Sequence, residues 1–396
     1  MVNKKIMKKY TLIVALILIA IIETPLVFAM AQNPKGPKNY IRVAVSQKKE
    51  MVDLRLKGQY RIYSLNSDNI IKEGKNLKVE VRIGKNGLEL GAEKLDLEGI
   101  CIETVSNAAI LINKRKFRGV MDIIIKSDKT LLLVNHVDIE EYLCGVLYHE
   151  VSHLWPIEAL KAQAITSRTF ALYQHEVNKD KEYDLTNTTY SQVYGGATSE
   201  KYRTNKAVIK TYGEVMTYDG KLFPAYFHAC CGGSTEDADK LWKTNLPVLK
   251  GGLCPYCTHS PHFNWSRKVS IWLVRKKLME NGYKCGKITS FESSAYDVSG
   301  RVTDIIIKTT QGNLTIPSNK LRIMISPTLI KSTNFTVKLD KEFLYFEGKG
   351  WGHGVGLCQW GAYGMAKEGF KAEEILDFYY PNNSIADIWD NDTYTQ

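Results

Sequence analysis

The chain contains no G-x-G-x-x-G and no G-x-x-x-x-G-K-[ST], so the two loop patterns that cradle nucleotide phosphates are missing. No nucleic-acid-binding motif is present either. The formal charge of +11 would by itself suit nucleic acid, anionic lipid or an anionic wall polymer, and charge alone does not choose among them. The chain also lacks a leading apolar run of comfortable membrane-spanning length. Its run from Thr11 to Ile22 is short for that purpose. Lys4, Lys5, Lys8 and Lys9 precede this run and Ala29-Met-Ala31 follows Pro25, which is the layout of a secretory signal. Residues 1–31 are therefore expected to be a signal peptide or an uncleaved N-terminal anchor. The protein is expected to cross the cytoplasmic membrane and to be periplasmic, wall-associated or membrane-anchored, touching membrane only through this segment. Removing 1–31 takes away four lysines and one glutamate, so the formal charge falls from +11 to +8 and the remainder stays basic.

What is present fits a globular protein of one large or two modest domains, with 44% hydrophobic and 24% charged residues. After a polar linker over 32–39, Ile41–Val45 alternates apolar and polar as a half-buried strand does. Val79–Ile83, Ala109–Ile112, Met121–Ile125 and Leu131–Val134 repeat the signal between Lys-, Asn-, Gly- and Asp-containing turns. Residues 40–136 thus read as a β-rich lobe with no evident catalytic cluster. A mixed region follows over 137–381, and 382–396 reads as a loose polar tail. The fold class is α+β, a β-rich N-terminal lobe joined to a mixed α/β region.

The mixed region centres on Glu150. Pro156 suits the first position of a helix, and the small and apolar residues Leu160, Ala164, Ser167 and Ala171 mark one helical face that another element can approach closely. Gln163, Arg168 and Tyr173 fall on other faces. A carboxyl placed at the start of such a helix, if held in a cleft, would be partly desolvated and kept protonated near neutral pH; a solvated surface glutamate is the plainer alternative. The same residues spell His149-Glu150-Val-Ser-His153, the H-E-x-x-H pattern of a zinc protease. That site needs a continuous helix through both histidines, and Pro156 argues that the helix begins later.

Downstream, Tyr183–Gly196 is rich in Thr, Asn and Gly and reads as a loop offering Tyr190, Gln192 and Tyr194 for contact, or packing them down. Asp219-Gly220 joins Glu214–Tyr218 to Leu222–Phe227 as a hairpin. Then His228, Cys231 and Cys254-Pro-Tyr-Cys257 give the spacing of a closed tetrahedral zinc site, expected to be structural because four protein ligands leave no open position. Disulfides are the alternative, with adjacent Cys230 and Cys231 awkward to bridge separately. Near the end, alternate glycines around Trp351 and His353 let the backbone pass close to another chain or a ligand.

Four blocks together resemble the SpoIID/LytB family of stage II sporulation protein D and amidase enhancers. They are Glu150 with Trp-Pro-Ile-Glu-Ala-Leu-Lys-Ala-Gln-Ala and Arg168-Thr; Ser191-Gln-Val-Tyr194; His228 with Cys231-Gly-Gly and Ser260-Pro-His; and Gly350-Trp-Gly-His-Gly-Val-Gly with Gln359 and Gly361-Ala. The resemblance implies a groove that binds glycan and a lytic transglycosylase in which Glu150 is the single acid/base, with Arg168 in the same groove. It further implies substrate contacts from Gln163, Tyr190, Ser191, Gln192, Tyr194, His353 and Gln359, and a Zn2+ site of His228, Cys231, Cys254 and Cys257. Implied partners are peptidoglycan glycan strands and an N-acetylmuramoyl-L-alanine amidase or other wall hydrolase. The alternatives are a non-catalytic wall-binding amidase enhancer and, further off, the H-E-x-x-H metalloprotease.

Overall fold

The computed structural model describes residues 40–389 apart from Asn66, Ser106, Asn107 and Tyr190. The segment expected to be a signal or anchor, the linker 32–39, the last part of the tail and the expected contact Tyr190 lie outside the described residues. The chain divides into two compact units between Asp138 and Ile139.

The first unit is built of strands: β1 (Tyr40–Lys49), β2 (Met51–Ser64), β3 (Ile70–Ile83), β4 (Leu88–Leu90), β5 (Glu93–Lys94), β6 (Gly99–Thr104), β7 (Ala109–Ile112), β8 (Arg115–Phe117), β9 (Val120–Ile125) and β10 (Leu131–Asp138). They pair antiparallel in the order β1-β10-β9-β6-β2-β3-β4-β5, with β7 on β2 and β8 on β7. Strand β2 shows the cause, since Val52, Leu54 and Leu56 are buried while Asp53, Arg55 and Lys57, which alternate with them, are exposed. In β10 the run Leu131–Asn135 is buried on both faces, and the one polar member, Asn135, donates to the carbonyls of Arg118 and Val120.

The second unit opens with helices α1 (Ile139–Glu150) and α2 (Ile157–Val177), strand β11 (Leu185–Thr186) and helix α3 (Tyr202–Lys210). Strands β12 (Glu214–Tyr218), β13 (Lys221–Leu222) and β14 (Phe227–His228) and helix α4 (Ala238–Trp242) follow. A lobe with its own core comes next: β15 (Asn264–Ser270), α5 (Ile271–Glu280), β16 (Ile288–Ser293), β17 (Asp304–Thr309), β18 (Gly312–Pro317), α6 (Ser318–Ile325), β19 (Phe335–Asp340) and β20 (Phe343–Lys349). The chain then returns through β21 (Leu357–Cys358), α7 (Gln359–Lys367), α8 (Ala372–Tyr379) and β22 (Ser384–Asp387). Helix α2 is buried from Ala159 to Leu172 except at Lys161, and its alanines and Ser167 let α1, α3, α7, α8 and β12 crowd around it. Among the described residues no helix is long and apolar enough to cross a membrane.

Three sequence expectations change here. Glu150 ends helix α1 instead of standing at the start of α2, because the backbone leaves the helix at Val151 and resumes it after Pro156. The hairpin at Asp219-Gly220 forms with both residues at positive φ, but its second arm stops at Leu222. Pro224 has no N–H to continue the ladder, and Phe227–His228 instead pairs parallel with Leu357–Cys358. The supposedly loose tail supplies β22, which completes a three-stranded sheet against β12.

Candidate active site

Glu150 is half-buried at the C-terminal end of α1. Its Oε1 accepts the Val193 N–H at 2.9 Å, and its carboxyl is also hydrogen-bonded by the Gln359 side chain. Burial raises its pKa from 4.5 to about 7, against the opposing pull of those two donors. No second carboxylate among the described residues contributes to that shift. A lone carboxyl poised near neutrality can give a proton and take one back, which is what a general acid/base requires.

Amides connect Glu150 to the core. Gln359 Nε2 donates to Gln163 Oε1 at 3.3 Å, and Gln163 Nε2 donates to Ser167 Oγ at 3.0 Å. Both glutamines are buried. The loop expected to present sugar contacts does something else. Tyr194 is 2% exposed, packs on Tyr142 at 5.0 Å and fills the space left by Gly145, where a Cβ would come within 2.6 Å of its ring. Gln192 is buried, accepts from the Tyr142 hydroxyl at 2.9 Å and donates to the Ser167 carbonyl. Ser191 Oγ accepts the Thr186 N–H at 3.1 Å and braces the loop. Gln192 and Tyr194 are thus buried on either side of Val193, and the expectation that these two side chains face a sugar is corrected.

Arg168 is not brought to Glu150. It is fully buried, its Nε and Nη2 each 2.7 Å from a different oxygen of Glu140, while Nη1 donates to the Glu214 carbonyl. Its place in the groove is therefore corrected to a buried ion pair that joins α1, α2 and β12. Arg168→Met leaves the Glu140 carboxylate buried without its cation, and urea denaturation is expected to show a loss of about 3–5 kcal/mol. Arg168→Met combined with Glu140→Leu is expected to recover most of that loss. Equal loss in single and double variants would refute the assignment.

His353 lies among rings, 5.3 Å from Trp242, 5.5 Å from His228 and 6.0 Å from Tyr226. Its Nδ1 accepts the Val355 N–H, and burial, helped by the nearby Arg322 charge, lowers its pKa to about 3, so it stays neutral. The H-E-x-x-H reading fails on geometry. The helix ends between the two histidines, His149 Nε2 lies 2.6 Å from Ser199 Oγ, and His153 packs beside the Tyr148 ring.

Cys231, Cys254, Cys257 and Cys358 place their Sγ atoms within 4.8 Å of one another, all buried. The fourth member of the cluster is Cys358, where the sequence led to the expectation of His228. The two residues are register partners in the parallel β14–β21 pair, but His228 turns its Nδ1 to the Val355 carbonyl at 3.1 Å. A tetrahedral zinc with bonds of about 2.3 Å sets its sulfurs about 3.8 Å apart, so the cluster has the right size. Cys358 Sγ accepts N–H bonds from Cys231 and Gly361. Among the described residues no two cysteines are joined by a disulfide.

Sequence reasoning missed an aromatic trio. Trp155, Trp360 and Tyr363 are half-buried with ring centroids 5.1 to 5.3 Å apart. Trp155 follows Glu150 by five residues and Trp360 directly follows Gln359, so the signal was their position inside the motif blocks. Ring faces of this kind suit a sugar's apolar side.

Residues 127–218 match the sequence model described as Stage II sporulation protein, and 256–356 match a domain of unknown function, DUF8618. An uncharacterized protein of Brachyspira hyodysenteriae is 37% identical over 88% of this chain and 94% of its own length. The amidase enhancer of Bacillus subtilis is 30% identical over 61% of this chain but only 40% of that longer protein. Stage II sporulation protein D of Bacillus subtilis is 28% identical, covering 64% and 76%.

Proposed function

We propose, for a chain that belongs to the SpoIID/LytB family, that it acts on the cell wall as a peptidoglycan lytic transglycosylase. The observation that carries this reading is the lone half-buried Glu150 carboxyl with a pKa near 7. Glycosidases that use water need two carboxyls, whereas a transglycosylase draws its nucleophile from the substrate and needs one. Glu150 protonates the glycosidic oxygen as the bond from C1 of muramic acid to that oxygen breaks. The resulting carboxylate, held by the Val193 N–H and the Gln359 amide, takes the proton of the C6 hydroxyl while O6 bonds to C1. The product is a 1,6-anhydro end, with no water consumed. Trp155, Trp360 and Tyr363 supply stacking faces for the glycan.

A zinc ion bound by Cys231, Cys254, Cys257 and Cys358 has a structural role in this reading: it ties the segment before α4, the turn at Pro255–Cys257 and the start of α7 together. The N-terminal layout supports export to the wall compartment, where a metal also protects thiols from oxidation. Mass spectrometry of peptide-free glycan strands incubated with the protein tests the activity. Chains ending in 1,6-anhydro-muramic acid are expected. Reducing ends would mean hydrolysis. Intact strands would instead favour a wall-binding stimulator of a partner amidase, the role printed in the name of the Bacillus subtilis relative.

A further inference from the structure

The lobe matched by the domain of unknown function carries an open cleft of about 960 Å³ that involves neither Glu150 nor the four cysteines. Its charge is uneven. Arg267, Lys331 and Lys349 line it against a single acid, Glu347, and among the described residues none of the three cations forms an ion pair. Lys331 is the unusual one, being only 9% exposed. A buried lysine ordinarily has a carboxylate partner. Among the described residues its Nζ meets His262 Nδ1 at 3.2 Å and the Trp351 ring face at 5.0 Å. His262 in turn stands edge-on to Trp351 at 4.5 Å. The Ser-Pro-His and Gly-Trp motifs thus serve to hold an uncompensated cation at the cleft wall.

The rest of the lining is neutral and polar. Asn264 and Asn334 present amides, and Tyr296 is 52% exposed at the rim. Trp265 forms part of the floor, its indole N–H finding no acceptor among the described residues, and Gly348 leaves room for its ring, since a Cβ there would come within 2.3 Å of it. Amides, a ring and a few cations match a largely neutral sugar chain with an occasional carboxylate. A densely charged phosphodiester polymer would meet Glu347 and has too few cations to neutralise it.

We propose that this cleft is a second glycan subsite, in which Lys331 and Arg267 bind the carboxylate of a muramic-type sugar on the strand that Glu150 acts upon. The proposal rests on the wall-glycan reading above. Lys349 in the cleft and Gln359 at Glu150 are ten residues apart, so the two sites lie at most about 35 Å from one another, within reach of a single polymer strand.

The test is isothermal titration calorimetry with the full chain carrying Glu150→Gln, so that no strand is cut. Peptide-free glycan strands, the same strands with their carboxyls reduced to alcohols, and poly(glycerol phosphate) are the three ligands. The intact strands are expected to bind about tenfold more tightly than the reduced ones. Lys331→Met and Arg267→Ala, each added to Glu150→Gln, are expected to bring the intact strands to the reduced-strand affinity. Should Lys331→Met fail to fold by circular dichroism, the exposed Arg267→Ala carries the same comparison. Equal binding of intact and reduced strands, unchanged binding in a folded cleft variant, or equal or tighter binding of poly(glycerol phosphate) would each overturn the proposal. Failure of the transglycosylase reading shows up separately, as unprocessed strands with the wild-type protein.

Discussion

Glu150→Gln is expected to lower the rate of glycan cleavage by about a thousandfold, within the range ascribed to a positioned acid/base. Gln keeps the size and can still bond Val193 and Gln359, so the loss isolates the proton. The pH dependence follows from the same carboxyl. Its first task is to donate, so kcat/KM in the wild type should be level below the pKa of about 7 and fall tenfold per unit above it. Stability should move the opposite way to ordinary carboxylates. The folded pKa of about 7 lies above the unfolded-chain reference of 4.5, so the folded state binds the proton more tightly than the unfolded state does. Near pH 4 both states are protonated and nothing is lost. As pH rises from about 4.5 to 7 wild-type stability declines, and above 7 the full penalty stands. Half-burial limits it to on the order of 1–2 kcal/mol. Glu150→Gln should therefore be more stable than wild type at pH 8 and equal to it near pH 4. A variant that kept a tenth of the wild-type rate, or a rate profile without an inflection between about pH 6 and 8, would remove Glu150 from the acid role.

The strands of the first unit were readable because alternation has a local cause. Val52, Leu54 and Leu56 point one way whatever the rest of the chain does. Motif positions such as Glu150, Gln359 and the cysteine pair Cys254 and Cys257 were readable for the same reason, as residue types at short spacing. What failed depended on distant partners. Arg168 looked like a groove cation because its counter-charge, Glu140, stands 28 residues earlier and on another helix. Tyr194 and Gln192 looked available because a Thr- and Gly-rich loop gives no hint that Gly145 opens a slot for the ring. His228 reads as a ligand from the sequence because the register that sets it opposite Cys358 joins residues 130 apart. The lysine in the cleft gave no signal at all, since burial without a carboxylate partner is visible only once the lobe is folded.

Cys358→Ser is expected to have the largest effect on stability, because it tests both the metal and the choice of its fourth ligand. One zinc per chain is expected in the purified protein, held by the single four-cysteine cluster found among the described residues. Structural zinc contributes about 10–16 kcal/mol in small peptides, so losing one of four thiolates should cost several kcal/mol here. In a protein of this size that is a fall of about 10 °C or more in Tm, and chelation of the wild type should reproduce it. Cleavage should vanish with the metal. Cys358 caps α7 through its bond from the Gly361 N–H, and the next residue is Gln359, whose amide holds Glu150. His228→Ala is the control that separates the two ligand sets. It should keep its zinc, since His228 faces the Val355 carbonyl and lies outside the cluster. Metal lost from His228→Ala but retained by Cys358→Ser would restore histidine as the ligand. A metal-free protein whose four cluster cysteines resist thiol reagents after unfolding would instead mean disulfides, and the start of α7 would then be held by a covalent bond.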